Sequence, residues 1–239
     1  MLIFSNFKGV ITWANVEQVK VQKNFWDLYT SYITLSMKTN RAILGILLLV
    51  LGITSCNNYH TSTVVGAGDV VSIEVEPGAF TGVSVTGECK VNIQIGEAEP
   101  VVLSAQQQVL DVMTYEVKNN ILQIGFKQGV SVNTDKEIRA DIVIPEPSYV
   151  AVTGAGDFHL AGTDQVRLDI YITGAGNVSA FDMKVDDCQI RISGTANCEV
   201  SVEKSLYVQV SGVGNVFLKG NPTLTSDISG VGNITPVGD

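Results

Sequence analysis

Apolar and polar positions alternate along most of this chain, and after residue 150 the alternation returns around one phrase. It reads Val152-Thr153-Gly154-Ala155-Gly156-Asp157, then Ile172-Thr173-Gly174-Ala175-Gly176-Asn177, then Ile192-Ser193-Gly194-Thr195-Ala196-Asn197. It returns as Val210-Ser211-Gly212-Val213-Gly214-Asn215 and as Ile228-Ser229-Gly230-Val231-Gly232-Asn233. The first glycines stand 20, 20, 18 and 18 residues apart. Two residues before them lie Val152, Ile172, Ile192, Val210 and Ile228; four after lie Phe158, Val178, Cys198, Val216 and Ile234. Period-two alternation predicts strands buried on one face. Each unit therefore reads as strand, Gly-x-Gly turn, strand and a further bend. Gly162, Gly220 and Gly238 mark that bend, with Asp182 and Val202 in its place in the two middle units.

A period near twenty residues is too short for a domain and predicts stacked units that bury their apolar faces on one another. Two or three short strands with their corners make one rung of a parallel β-helix, with rungs about 4.8 Å apart. Gly154, Gly174, Gly194, Gly212 and Gly230 are expected at corners requiring positive φ. Asp157, Asn177, Asn197, Asn215 and Asn233 are expected to form a structural ladder, their side chains bonding from rung to rung and to the backbone.

Residues 64–149 predict an N-terminal β section continuous with the regular repeats of 150–239. Val64-Val65-Gly66-Ala67-Gly68-Asp69 is a sixth copy of the phrase. Strand-like runs cover 70–75, 81–85, 89–95, 101–104, 112–118, 121–127 and 138–144. Asn119-Asn120 between two of them signals a hairpin. Pro145-Glu146-Pro147 closes the section, and only residues 106–111 suit a turn or two of helix.

The first part of the chain reads differently. Residues 1–36 hold both tryptophans and no repeat, and predict an upstream extension with translation starting at Met37. Lys38 and Arg41 then precede an apolar run from Ala42 to Ile53. That run is shorter than the roughly 20 residues of a spanning helix and suits a signal-peptide core. Ile53-Thr54-Ser55-Cys56 resembles a lipoprotein signal box, so residues 37–55 read as a signal peptide, Cys56 as the lipidated N-terminus and 56–63 as a tether. The mature chain carries 10 Lys+Arg and 22 Asp+Glu, the whole-chain 15 and 24 less the 5 and 2 before Cys56. Such acidity argues against nucleic-acid partners and against electrostatic attachment to anionic lipid. The expected membrane contact is through lipid on Cys56, in the envelope of a Gram-negative-type bacterium, on an outer membrane whose occupied face is left open.

Candidate chemistry is sparse. Cys89, Cys188 and Cys198 include no Cys-x-x-Cys pair and share parity with apolar neighbours, which predicts buried filler; a Cys188–Cys198 disulfide stays open. The histidines are His60 in the tether and His159 on an outward position, a poor inventory for a triad or a histidine-ligated metal. Calcium-binding glycine/aspartate repeats have a nonapeptide period, and here asparagine replaces aspartate in four of the five units. Asp164, Asp169, Asp182, Asp186 and Asp187 read as a solvated acidic face. No catalytic residue, cofactor or metal site is predicted.

With these residues in hand, the chain resembles the autotransporter-adhesin head GIN domain family, a domain of unknown function, over roughly 64–239. The resemblance rests on the Ser/Thr-Gly-x-Gly-Asn/Asp phrases, the Ile144-Pro145 entry into them and Gly220-Asn221-Pro222 before the last phrase; Thr195-Ala196 departs from it. It implies a right-handed single-stranded parallel β-helix, often on lipoproteins, and an adhesin-like role. The expected function is a non-enzymatic, lipid-anchored envelope protein presenting its surface to a glycan or protein. The alternatives are a polysaccharide-lyase-like β-helix enzyme, on fold analogy alone, and a purely structural envelope component. An uncovered last rung would expose strand edges and apolar side chains, which places Val216, Leu218, Ile228 and Ile234 near an expected homo-oligomer surface, unless the N-terminal section folds over that end.

Overall fold

The period-two runs become strands almost throughout residues 62–238, the part of the chain described by this computed structural model. The expected extension, signal peptide, lipidated Cys56, His60 and most of the tether lie outside the described residues. The N-terminal section supplies β1 (Ser62–Val65), β2 (Val70–Val75), β3 (Gly82–Val85), β4 (Glu88–Ile95) and β5 (Val101–Gln106). A one-turn helix, α1 (Gln107–Leu110), precedes β6 (Met113–Lys118), β7 (Ile121–Phe126), β8 (Val130–Asn133) and β9 (Arg139–Ile144). The repeats supply β10 (Tyr149–Val152), β11 (Ala155–Ala161), β12 (Gln165–Ile172), β13 (Ala175–Ile192) and β14 (Thr195–Val210). They end with β15 (Val213–Lys219), β16 (Thr223–Ile228) and β17 (Val231–Pro236).

The repeat units stack in parallel and in register. Gly176, Ala196, Gly214 and Gly232 face one another, as do Val178, Cys198, Val216 and Ile234. The stack continues into the N-terminal section, where β3 and β4 pair with β10 and β11, and β7 and β9 lie beyond them. Its inward rows form the core: Val150, Ile170, Ile190 and Val208 are buried, as are Val152, Ile172, Ile192 and Val210. Each such side chain contributes about 1.5–3 kcal/mol on leaving water.

The right-handed single-stranded parallel β-helix expected from the sequence is not the fold. Fifteen strands form one curled sheet, a half-barrel, and that sheet is mixed. β2 runs antiparallel to β5, β5 to β9, and β6 to β7. One physical cause is the turn at Asn119-Asn120, where φ of 52° and 61° reverses the chain instead of continuing a coil. Another is the second bend of the repeats. Gly162 and Gly220 interrupt the backbone there with φ of 133° and 91°, but β13 and β14 run through it as strands of 18 and 16 residues. Uninterrupted strands make the sheet curl, with register shifts between Ala180 and Lys184 and between Val185 and Asp187. The sixth phrase stands apart from the stack, β1 pairing with β8 in a separate two-stranded sheet.

At the C-terminal end β16 pairs only with β14 and β17 only with β15. Val216 and Leu218 are buried beneath these strands, and Ile234 is partly buried. Ile228 and Leu224, the last members of inward rows, are exposed by 39% and 45%. The antiparallel N-terminal strands extend the opposite end of the stack, so this edge stays open among the described residues.

Candidate binding face and corner ladder

The five anchoring glycines are required for a different reason from the one expected. None has positive φ; the closeness of the neighbouring rung demands them. Ala175 N donates to Gly154 O, Thr195 N to Gly174 O and Val213 N to Gly194 O, each at 2.9 Å. A Cβ on Gly174, Gly194, Gly212 or Gly230 would overlap the carbonyl oxygen of the preceding glycine. Gly87, with φ of 105°, begins this column beneath Gly154.

Beside it, Asp157 Oδ1 accepts from Asn177 N at 2.8 Å and from Asn177 Nδ2 at 2.9 Å. Asn177 Oδ1 accepts from Asn197 N and Nδ2 at 3.2 and 3.3 Å, and Asn197 Oδ1 from Asn215 Nδ2 at 3.1 Å. Asn233 faces Asn215 in register. With the acceptors of Asp157, Asn177 and Asn197 engaged by the next rung, these side chains serve the stack. A groove of 430 Å³ beside the corner is lined by Glu88, Lys90, Glu137, Asp157 and Asn177, and Lys90 lies 3.4 Å from Glu137.

The other limb of the sheet, built from β10, β12, β16 and the second halves of β13 and β14, carries a different surface. Strand alternation sends one residue in two outward, and parallel register aligns them in rows. One row runs Tyr149, Asp169, Gln189, Tyr207, Thr225. The next runs Ala151, Tyr171, Arg191, Gln209, Asp227. The rings of Tyr149 and Tyr171 lie 5.3 Å apart, and the Arg191 guanidinium sits 5.3 Å from the Tyr171 ring and 5.8 Å from that of Tyr207. Such ring–cation contacts hold flat groups in fixed positions at little entropic cost.

Polar contacts fix the platform further. Tyr171 Oη accepts from Gln189 Nε2 at 2.7 Å and from Arg191 Nη1 at 2.5 Å, while Arg191 Nε donates to Gln209 Oε1 at 3.3 Å. Gln209 in turn donates to Asp227 at 3.3 Å. Burial, then Tyr171 and Asp169, raise the Tyr149 phenol above its ordinary value, so it remains a neutral donor at physiological pH. Asp169 Oδ1 lies 2.9 Å from Arg167 yet lacks hydrogen-bonding alignment, leaving a buried acceptor atom without a hydrogen bond.

These tyrosines belong to no motif of the sequence. Their signal lies in the outward positions, five and three residues before each anchoring glycine, whose types vary from rung to rung. Asp186 pairs with Lys204, Asp187 accepts from Ser205, and Asp182 lies 3.8 Å from His159. Asp164 is exposed beside the second bend. Among the described residues no three His, Cys, Asp or Glu side chains converge on a metal-sized site. Cys89, Cys188 and Cys198 are free and buried. Burial pushes the Cys89 and Cys198 thiols up to about 12, with Asp141 and Glu137 adding to the rise at Cys89, and pushes Cys188 higher still. A thiol so far above neutrality is no nucleophile.

The described residues thus form an all-β half-barrel that carries a tyrosine–arginine cluster on the outer face of one limb. The chain belongs to the family described as "Putative auto-transporter adhesin, head GIN domain", whose sequence profile matches residues 79–178 and, again, 149–222. Among solved structures, a "putative adhesin" from Bacteroides fragilis is similar over 73% of this chain and 100% of its own, at 16% identity and a TM-score of 0.53. A "putative lipid binding protein" from Parabacteroides distasonis is similar over 74% and 100%, at 17% identity and a TM-score of 0.47. No curated protein matches the chain.

Proposed function

We propose that this is a non-enzymatic, adhesin-like protein of the cell envelope that binds glycan through the Tyr149–Tyr171–Arg191–Tyr207 face. The observation that carries this reading is the platform itself. Tyrosine rings offer apolar faces to the C–H faces of pyranose rings, and the surrounding amide, guanidinium and carboxylate groups offer partners to hydroxyls. β10 and β14 are three strand spacings apart, about 14 Å at 4.8 Å each, so the face spans several sugar units lying across the strands. Weak contacts repeated along a polymer add by avidity. A glycan array probed with the purified protein tests the reading: saturable hits support it, and a blank array with retained binding to envelope proteins overturns it.

Support for the address comes from the sequence before residue 57, with a signal peptide over 37–55 and lipid on Cys56. Metabolic palmitate labelling is expected to mark the wild type in the membrane fraction, and Cys56→Ser is expected to lose label and membrane association together. Translation from Met37 belongs to the same reading, and an N-terminal peptide from residues 1–36 in the native protein would count against it.

The open edge at β16 and β17 suits pairing with a second copy. Residues 220–238 contain no Lys or Arg, the charges that commonly guard an exposed edge. Sedimentation is expected to show a concentration-dependent dimer weakened by Ile228→Lys; a monomer at all concentrations would contradict it.

A further inference from the structure

Arg191 is the one arginine of the described residues without a carboxylate partner, although Lys127, on the Asp111 carbonyl oxygen, and Lys219, over the Phe181 ring, also lack one. Lys90, Lys118, Lys136, Arg139, Arg167, Lys184 and Lys204 each pair with a carboxylate. Arg191 pairs with none among the described residues, although acids outnumber bases about two to one in the mature chain. It is half-buried, held between the Tyr171 and Tyr207 rings, and restrained at Nε and Nη1 by Gln209 and Tyr171. Nη2 has no partner among the described residues. A guanidinium stripped of part of its water and fixed by neutral groups is a pre-ordered cation whose best partner is an oxyanion, which it engages by paired N–H donors.

One rung away, Asp169 is engaged by Arg167 through both carboxylate oxygens, at 2.9 and 3.2 Å, so it leaves Arg191 without an anionic partner. Tyr171 lies directly across from Arg191 in the register of β12 and β13. A ligand that satisfies Arg191 carries a carboxylate on a ring whose apolar face stacks on tyrosine.

From this we infer that the face is selective for carboxylated sugars, hexuronic or sialic acids, over neutral ones, with the carboxylate on Arg191. The inference rests on the glycan-binding reading above. Arg167 and Arg191 are outnumbered locally by Asp169, Asp187 and Asp227, so selectivity comes from directed contact and not from the field of the patch. Each of those carboxylates has its own partner: Arg167 for Asp169, Ser205 for Asp187 and Gln209 for Asp227.

The test compares oligomers of galacturonate and glucuronate with their methyl esters, and sialylated oligosaccharides with their asialo forms, by calorimetry on the purified protein. The acid forms are expected to bind at least tenfold more tightly, as a charge-assisted contact implies. Arg191→Gln is expected to bring the acid-to-neutral affinity ratio close to one, and Arg191→Lys to leave it in between. A ratio is insensitive to partial unfolding, which lowers both affinities alike. Equal wild-type binding of acid and neutral forms overturns the inference and leaves the glycan reading standing. Absence of binding to every glycan tested overturns both.

Discussion

Gly194→Ala is expected to destabilise the protein by about 3–5 kcal/mol, far more than an exposed glycine-to-alanine change in a turn. The new Cβ would overlap the Gly174 carbonyl oxygen and lie 2.8 Å from the Gly174 carbon. That oxygen already accepts the Thr195 N–H at 2.9 Å, so it cannot move aside without breaking the bond that joins the rungs. Backbone obstructs the methyl on that side, and packed interiors relieve such overlap poorly. Gly214→Ala is the informative control. Its Cβ would meet the flexible Ile192 Cδ1 at 2.9 Å and the Ala196 oxygen at 3.0 Å, and the third unit already carries alanine at this place, Ala196. A cost of about 1 kcal/mol or less is expected there. Urea unfolding of both variants checks the pair; equal costs would refute the close-approach explanation.

Tyr171→Ala carries the largest expected effect on binding, a loss of about thirtyfold or more in glycan affinity, in line with a central aromatic anchor worth about 2 kcal/mol. The ring stacks near Tyr149 and under Arg191, and its hydroxyl accepts from Gln189 and Arg191. Removing it frees the guanidinium as well as deleting a stacking surface. Since the side chain is half-buried on the outer face, folding stability is expected to fall by only about 1–2 kcal/mol. Tyr171→Phe keeps the ring and removes the two hydrogen bonds, so it is expected to lose only a few-fold in affinity. Titration of all three proteins with one array-positive oligosaccharide measures this, and unchanged affinity in Tyr171→Ala would remove the platform from the account.

The strands were legible because burial on one face imposes period two on side-chain type. The runs around Val70, Val91, Val101, Ile121 and Ile142 all became strands, and Asn119-Asn120 turned the chain with both residues at positive φ. Strand direction left no comparable trace. Pairing Val70 with Gln106 or Leu103 with Ala140 depends on where distant segments meet, and an alternating strand reads alike in either direction. A repeat that stacks in parallel therefore suggested a uniform coil; the hairpin of β6 and β7 was legible from Asn119-Asn120, but the antiparallel pairings of β2 with β5 and of β5 with β9 were not. β8 also went unread, since Val-Ser-Val-Asn after a glycine is too short to show a period.

The corner ladder was visible because asparagine recurs at a fixed offset. The platform was hidden because its rows mix tyrosine, arginine, amide and carboxylate, types that register brings together but composition does not. Tyr149 and Tyr207 share a row, whereas Tyr171 and Arg191 occupy the adjacent one. Glycine at the anchors was legible in identity and not in cause, since close approach and positive φ leave the same letter in the sequence.

The most direct test of the central claim is the footprint of a bound oligosaccharide, mapped by NMR shift changes on the folded protein. The account predicts perturbation centred on Tyr149, Tyr171, Arg191 and Tyr207, with the Asp157–Asn215 corner unaffected. A footprint confined to that corner, or to the apolar groove around Phe80, Pro100 and Pro145, would contradict it.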